Sequence, residues 1–257
     1  MITKEPLNMK KIAYSGAGVI ALLLVLVVCF FRPFGVNEKV DVDAGSLAEQ
    51  PIDQFKTLFQ YRFNKPRSIK AWKEKVFKGK GTFEVVTDEA SGEKVLKSAS
   101  DGTSSGIFKK VKVEMKDNPV LRWEWKVTQF PSNKKNKVFA AKTDNDYGAR
   151  IYAIFDGATI FTSDIIQYVW DDHFAEGTYA RSPYTDRVKT FVVRNDKKGD
   201  SATWFTETRD IVKDYEMLYG KKPKRKLVAI GIMSDSDNTK TQSEAYIKSV
   251  SVLTPVN

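Results

Sequence analysis

The stretch Leu121-Arg122-Trp123-Glu124-Trp125-Lys126-Val127 alternates apolar and charged residues at every step. Successive side chains of a β-strand point to opposite faces, so this is a strand with one apolar face and one charged face. The same reading extends in both directions. Thr82 to Thr87, Lys94 to Ser98 and Gly106 to Val113 precede it, separated by Gly, Ser, Asp and Asn clusters that read as turns. Arg150 to Phe155, Ile165 to Trp170, Thr190 to Arg194, Leu227 to Met233 and Tyr246 to Leu253 follow. Nine or ten strands counted this way along the chain predict an all-β domain, a β-sandwich or jelly roll.

One short helix interrupts the series. Ile211, Val212, Tyr215, Leu218 and Tyr219 make a stripe at helical spacing, and Gly220 follows as a C-terminal stop, with Lys221, Lys222 and Pro223 beyond it. Ahead of the strands, Ile52, Phe55, Leu58, Phe59 and Phe63 also fall at helix-like spacing. They predict a docking helix packed on the domain. With Lys56, Arg62 and Lys65 alongside, a membrane-surface segment is the alternative.

The first residues read differently. Twenty residues, Ile12 to Phe31, carry no charge. At about 1.5 Å per residue they make a helix of roughly 30 Å, the thickness of a bilayer's hydrocarbon core. Lys4, Lys10 and Lys11 precede the run, whereas Glu38, Asp41 and Asp43 dilute Arg32 and Lys39 after it. The basic bias places the N-terminus in the cytoplasm and the rest across the membrane. A cleaved signal peptide would have a shorter apolar core and a nearby small-residue site. Here the run continues straight into Phe30, Phe31 and Arg32, so a retained anchor is expected. The predicted organisation is a cytoplasmic N-terminus (1–11), a transmembrane helix (12–31), a stalk with docking segment (32–69) and a β-sandwich (70–257). The expected location is a bacterial inner membrane, single-pass, with the sandwich periplasmic.

Composition excludes several chemistries. The single Cys is Cys29, inside the apolar run, so the body has neither disulfide nor thiolate site. His173 is the single histidine, in a loop-like stretch, which rules out a histidine metal trio. No phosphate-cradling Gly-rich loop or dinucleotide fingerprint occurs. Formal net charge is +10, and taking Lys4, Lys10, Lys11 and Arg32 from 42 bases and Glu5 from 32 acids leaves 38 against 31 beyond the anchor. Such an excess favours anionic glycans or lipid headgroups as partners. Nucleic acid is not expected on the far side of a membrane.

Several stretches together resemble one bacterial family. They are Leu121 to Val127, Asp146-Tyr-Gly-Ala-Arg-Ile-Tyr152 with Phe155, Tyr168-Val-Trp170, Arg209-Asp-Ile-Val-Lys-Asp-Tyr215 with Tyr219-Gly220, and Gly231-Ile-Met-Ser-Asp-Ser-Asp-Asn-Thr239 with Ala245-Tyr246. The family is the domain of unknown function numbered 3047, and the similarity spans residues 70 to 253. The resemblance implies an envelope-located sandwich of the jelly-roll, galactose-binding-like type seen in carbohydrate-binding modules. It implies no established activity. This chain departs from the pattern in its anchor and its Lys-rich loops.

Two constellations are candidates for a site. Arg150 and Tyr152 share a strand face, with Asp146 just before them, while Arg122 and Glu124 lie on the charged face of the Trp-bearing strand. If the two strands are neighbours, these five line one surface, which reads either as a ligand-binding face or as a network of cross-strand ion pairs. Asp235, Asp237 and Asn238 supply oxygen ligands suited to a hard cation, a structural calcium. A tight turn fixed by Asx side chains is the commoner use of such a motif. No other cofactor is expected. Glu207, Arg209 and Asp214 read as a salt-bridge cluster before an acid–base pair. The expected function is a membrane-anchored extracytoplasmic domain binding an envelope glycan or another anionic polymer. A polysaccharide lyase or hydrolase using Arg150, Tyr152 and a carboxylate is one alternative, and an envelope assembly or scaffold protein is another.

Overall fold

A computed structural model describes residues 54–131, 137–157, 162–195 and 203–256 of the chain. The apolar run Ile12–Phe31, the stalk and the start of the docking segment lie outside the described residues. Among the described residues no helix is long and apolar enough to cross a membrane. The elements in chain order are β1 (Phe55–Arg62), β2 (Lys73–Lys78), β3 (Thr82–Thr87), β4 (Lys94–Asp101), β5 (Ser104–Val113), β6 (Val120–Gln129), β7 (Ala149–Phe155), β8 (Ile165–Trp170), β9 (Tyr179–Arg181), β10 (Val188–Arg194), β11 (Phe205–Asp210), the helix α1 (Ile211–Tyr219), β12 (Leu227–Asp235) and β13 (Gln242–Pro255).

The strands make two sheets. A six-stranded sheet has the order β11-β6-β13-β4-β3, with β1 also paired to β13, and a seven-stranded sheet has the order β2-β5-β12-β7-β8-β10-β9. The alternating apolar residues close the space between them. Leu121, Trp123, Trp125 and Val127 from β6 meet Ile151, Ala153 and Phe155 from β7 and Ile166, Tyr168 and Trp170 from β8 in one core. Trp123 lies 5.3 Å from Tyr168 and Trp125 5.6 Å from Trp170, ring centre to ring centre, and these contacts tie sheet to sheet. The all-β sandwich with one short helix is as expected.

β13, fourteen residues long, is paired along both edges. β6 runs along one side, and β4 then β1 along the other. α1 begins where the Asp210 carboxylate accepts the backbone N–H groups of Val212 and Lys213 at 3.1 and 3.0 Å. It ends at Gly220, whose φ of 67° is the left-handed conformation that glycine adopts without strain.

The segment expected as a docking helix is the strand β1. It pairs antiparallel with β13, and the register shifts between Thr57 and Phe59. That bulge changes the phase of the alternation, so Phe55 and then Phe59, Tyr61 and Phe63 mimic helical spacing. Leu58, which a helix would have buried, is exposed. Three further strands carry little apolar alternation. β2 is exposed at every position, β9 has three residues, and β11 turns the polar side chains Glu207 and Arg209 inward.

Candidate functional site

The seven-stranded sheet has an outer face whose residues fall in register. Lys73, Phe108, Gly231, Tyr152, Gln167, Thr190 and Ala180, one from each strand from β2 to β9, are directly opposed in turn. Opposed residues share a face. Their chain neighbours Ile107, Ile232, Ile151 and Ile166 point into the core, so this row points out. Only its β2–β5 end reaches solvent: Lys73 is exposed and Phe108 half-buried, whereas Gly231, Tyr152, Gln167, Thr190 and Ala180 are buried, the last beneath the Phe139–Ala140–Tyr147 cluster.

Two glycines shape its centre. A Cβ on Gly231 would come within 2.6 Å of the Phe108 ring, and one on Gly106 within 3.2 Å of it. The ring therefore lies down on the sheet, over backbone, instead of standing away from it. Its centre is 6.2 Å from that of Tyr152. Ile154, Ile165 and Met233 extend the apolar patch. The Tyr152 hydroxyl is 3.0 Å from Gln167 Oε1 and 3.0 Å from Met233 Sδ. Beside it in the row, Gln167 Nε2 and Thr190 Oγ1 are buried without a hydrogen-bond partner among the described residues. Burial of an unsatisfied polar atom costs about 1–3 kcal/mol, so the two make this covered part of the row locally costly.

A charged cluster stands at one end of the face. Arg150 opposes Met233, and two residues further along β12 its guanidinium meets Asp235 at 2.9 Å. Arg150 also donates to the Asn145 carbonyl and lies 4.9 Å above the Tyr147 ring. Asp146 fastens the loop after β12. It accepts the Asn238 backbone N–H at 3.1 Å, the Asn238 amide at 3.0 Å, and the Thr239 backbone N–H and hydroxyl at 2.7 Å each. Asp237 pairs with Lys78 at 3.1 Å. Carboxylate oxygens of Asp146, Asp235 and Asp237 lie within 4.8 Å of one another, and these three could hold a divalent cation. The Asn238 amide nitrogen links two of them as a donor, to Asp146 and to Asp237 at 2.9 Å.

Burial, reinforced by the neighbouring carboxylates of Asp146 and Asp237, pushes Asp235 up to about 7 against the lowering pull of Arg150. An unfolded aspartate titrates near 3.9. Between those values the folded chain holds a proton that the unfolded chain has released. This group's contribution to stability is therefore full below about pH 4 and is lost as pH rises to about 7. Asp235→Asn is expected to flatten the fall in urea midpoint between pH 5 and pH 7.5, and an unchanged fall would refute the assignment. Burial raises the hydroxyls of Tyr147 and Tyr152 above the usual tyrosine range, so both stay protonated donors at neutral pH.

The candidate residues thus divide. Asp146, Arg150, Tyr152, Asp235, Asp237 and Asn238 are brought together. Arg122 and Glu124 are not, because β6 belongs to the other sheet. There Lys248 pairs with Glu124 at 3.0 Å and Lys97 with Glu244 at 2.7 Å, an ion-pair lattice around Trp204 and Tyr246. Glu207 accepts from the Trp125 ring nitrogen at 3.1 Å and Arg194 at 2.5 Å, and Asp214 accepts from Arg209 at 3.0 Å and Tyr168 at 2.7 Å. His173 is half-buried in a turn, its N–H on Asp171. Phe108, Gln167 and Gly231 were not singled out from sequence. A glycine inside an apolar strand, as in Ala229-Ile230-Gly231-Ile232, is the signal for close approach that marks the platform.

A family model described as "Protein of unknown function (DUF3047)" matches residues 70–251. No curated protein matches the sequence. Among solved structures, the chain is similar to a family 30 carbohydrate-binding module of a cellulosomal cellulase of Clostridium thermocellum, with 10% identity over 78% of this chain and 100% of that one and a TM-score of 0.42. A family 11 module from the same organism gives 8% identity over 78% and 97%, at 0.40. A module described for specific mannan recognition gives 11% over 79% and 99%, at 0.36. The likeness at these scores is to a broad architecture and says nothing of a ligand.

Proposed function

The chain belongs to the DUF3047 family, described only as of unknown function, and from its own geometry we propose that it is a non-catalytic saccharide-binding domain, held on the extracytoplasmic side of a membrane by Ile12–Phe31. The observation that carries the reading is the aromatic platform at the solvent-facing end of the outer face, half-buried Phe108 laid flat over Gly106 and Gly231 against the buried Tyr152, with the exposed Lys73 directly opposite it. Sugar rings have an apolar C–H face and a hydroxyl edge. A flat ring covers the first, and polar groups at its rim, here the exposed Lys73 ammonium, satisfy the second.

A lyase is less well supported. It requires a deprotonated base and a free cation to neutralise the substrate, whereas Tyr152 is raised and Arg150 is engaged by Asp235. The hydrolase reading fares no better, since Asp146 already receives four donors.

The test is affinity electrophoresis of the full chain in mild detergent against a panel of envelope polysaccharides. Binding by the wild type, weakened about tenfold by Phe108→Ala with unfolding unchanged, is expected, a loss corresponding to about 1.4 kcal/mol of ring contact. Failure to bind any polysaccharide, or binding indifferent to Phe108→Ala, would overturn the proposal.

A further inference from the structure

We infer that the polymer taken by this face is acidic, bearing repeated carboxylate or phosphate groups met by Lys73, Lys75 and Lys110. The inference rests on the saccharide-binding reading of the same face and names its ligand class. Lys73 is directly opposite Phe108 across the β2–β5 ladder, and Lys75 is opposite Gly106, on which the Phe108 ring lies. Lys110 is opposite Ala229, two residues along β5 from Phe108. All three therefore share the outward face of the aromatic platform and surround its ring on two sides.

All three are exposed, and among the described residues none has an ion-pair partner. Their neighbours differ. Lys78 is paired with Asp237 and Lys80 with Glu74. The carboxylates at the charged end of the face are also taken, Asp235 by Arg150 and Asp237 by Lys78. The field over the platform is thus positive and not cancelled locally. Lysine on an edge strand also discourages sheet-to-sheet pairing, which accounts for Lys73 and Lys75 on β2. It does not account for Lys110, which lies one strand in and on the same face. An ammonium on a flexible stem suits a series of anionic groups along a chain without demanding one fixed geometry.

The test uses the full chain in mild detergent. Probes are polygalacturonate, its fully methyl-esterified form and poly(glycerol phosphate). The variants are Lys73→Gln/Lys75→Gln/Lys110→Gln, a control with Lys221, Lys222 and Lys224 changed to Gln, and Phe108→Ala. The wild type and the control should bind at least one anionic polymer about tenfold tighter than the ester. That preference should shrink between about 50 and 300 mM salt as screening grows, and vanish in the triple variant of the face. The polymer preferred separates carboxylate from phosphate. Equal binding of the ester, or an equal loss in the control, would overturn the acidic ligand while leaving the saccharide reading in place wherever Phe108→Ala still weakens binding. Binding of none of the three would overturn both.

Discussion

Replacing Arg150 with alanine is expected to lower the unfolding free energy by about 3–5 kcal/mol, the cost of leaving one member of a buried ion pair alone. Three losses combine. Asp235 loses its cation at 2.9 Å, the Asn145 carbonyl loses a donor, and the Tyr147 ring loses the guanidinium stacked on it. Arg150→Lys should recover little, because an ammonium cannot reach a carboxylate, a carbonyl and a ring face together as the planar fork does. Arg150→Met combined with Asp235→Asn removes both charges and keeps most of the volume, and should recover most of the loss. Urea midpoints at about pH 8.5, where Asp235 is ionised in the folded chain, decide it. A double variant as unstable as Arg150→Ala would mean that packing, and not charge, holds this end of the face.

Trp125→Ala should cost a similar amount, about 3–5 kcal/mol, or roughly 10 °C in melting temperature for a domain of this size. Trp125 is wholly buried. It packs edge-on to Trp123 at 5.4 Å and against Trp170 at 5.6 Å, so it bridges the sheets. Its ring nitrogen also donates to Glu207, which would keep only Arg194. Trp125→Phe retains most of the area and should cost less than half as much. Equal losses for both would assign the effect to the Glu207 hydrogen bond.

The strands that could be read from sequence are those with one wet and one dry face. β3, β6 and β8 show that alternation or a continuous apolar run, and α1 its stripe and glycine stop. β1 could not be read correctly because a bulge changed its phase. β11 escaped because its inward positions are Glu207 and Arg209, whose burial depends on partners elsewhere in the chain. The site was partly visible for the same reason. Asp146, Arg150 and Tyr152 are local to one strand and its approach. That Asp235 joins them, and Arg122 and Glu124 do not, follows from which strands are neighbours, and adjacency leaves no mark on composition. Phe108 is an ordinary core-like residue until β12 puts a glycine beneath it.

The pairing of β1 with β13 bears on mechanics. Phe55 is opposite Pro255, and the Val256 N–H reaches the Gln54 carbonyl at 2.8 Å. A pull on the chain ahead of Gln54 enters the domain through this ladder. Directed along β1, it strains every rung at once. Directed across the strands, it peels the rungs one after another. β13 belongs to one sheet and the Phe108 platform to the other. Load passed from one sheet to the other is thus transmitted through the packed rings of Trp123, Tyr168, Trp125 and Trp170, tilted or edge-on to one another, which makes the core the mechanical coupling between the two.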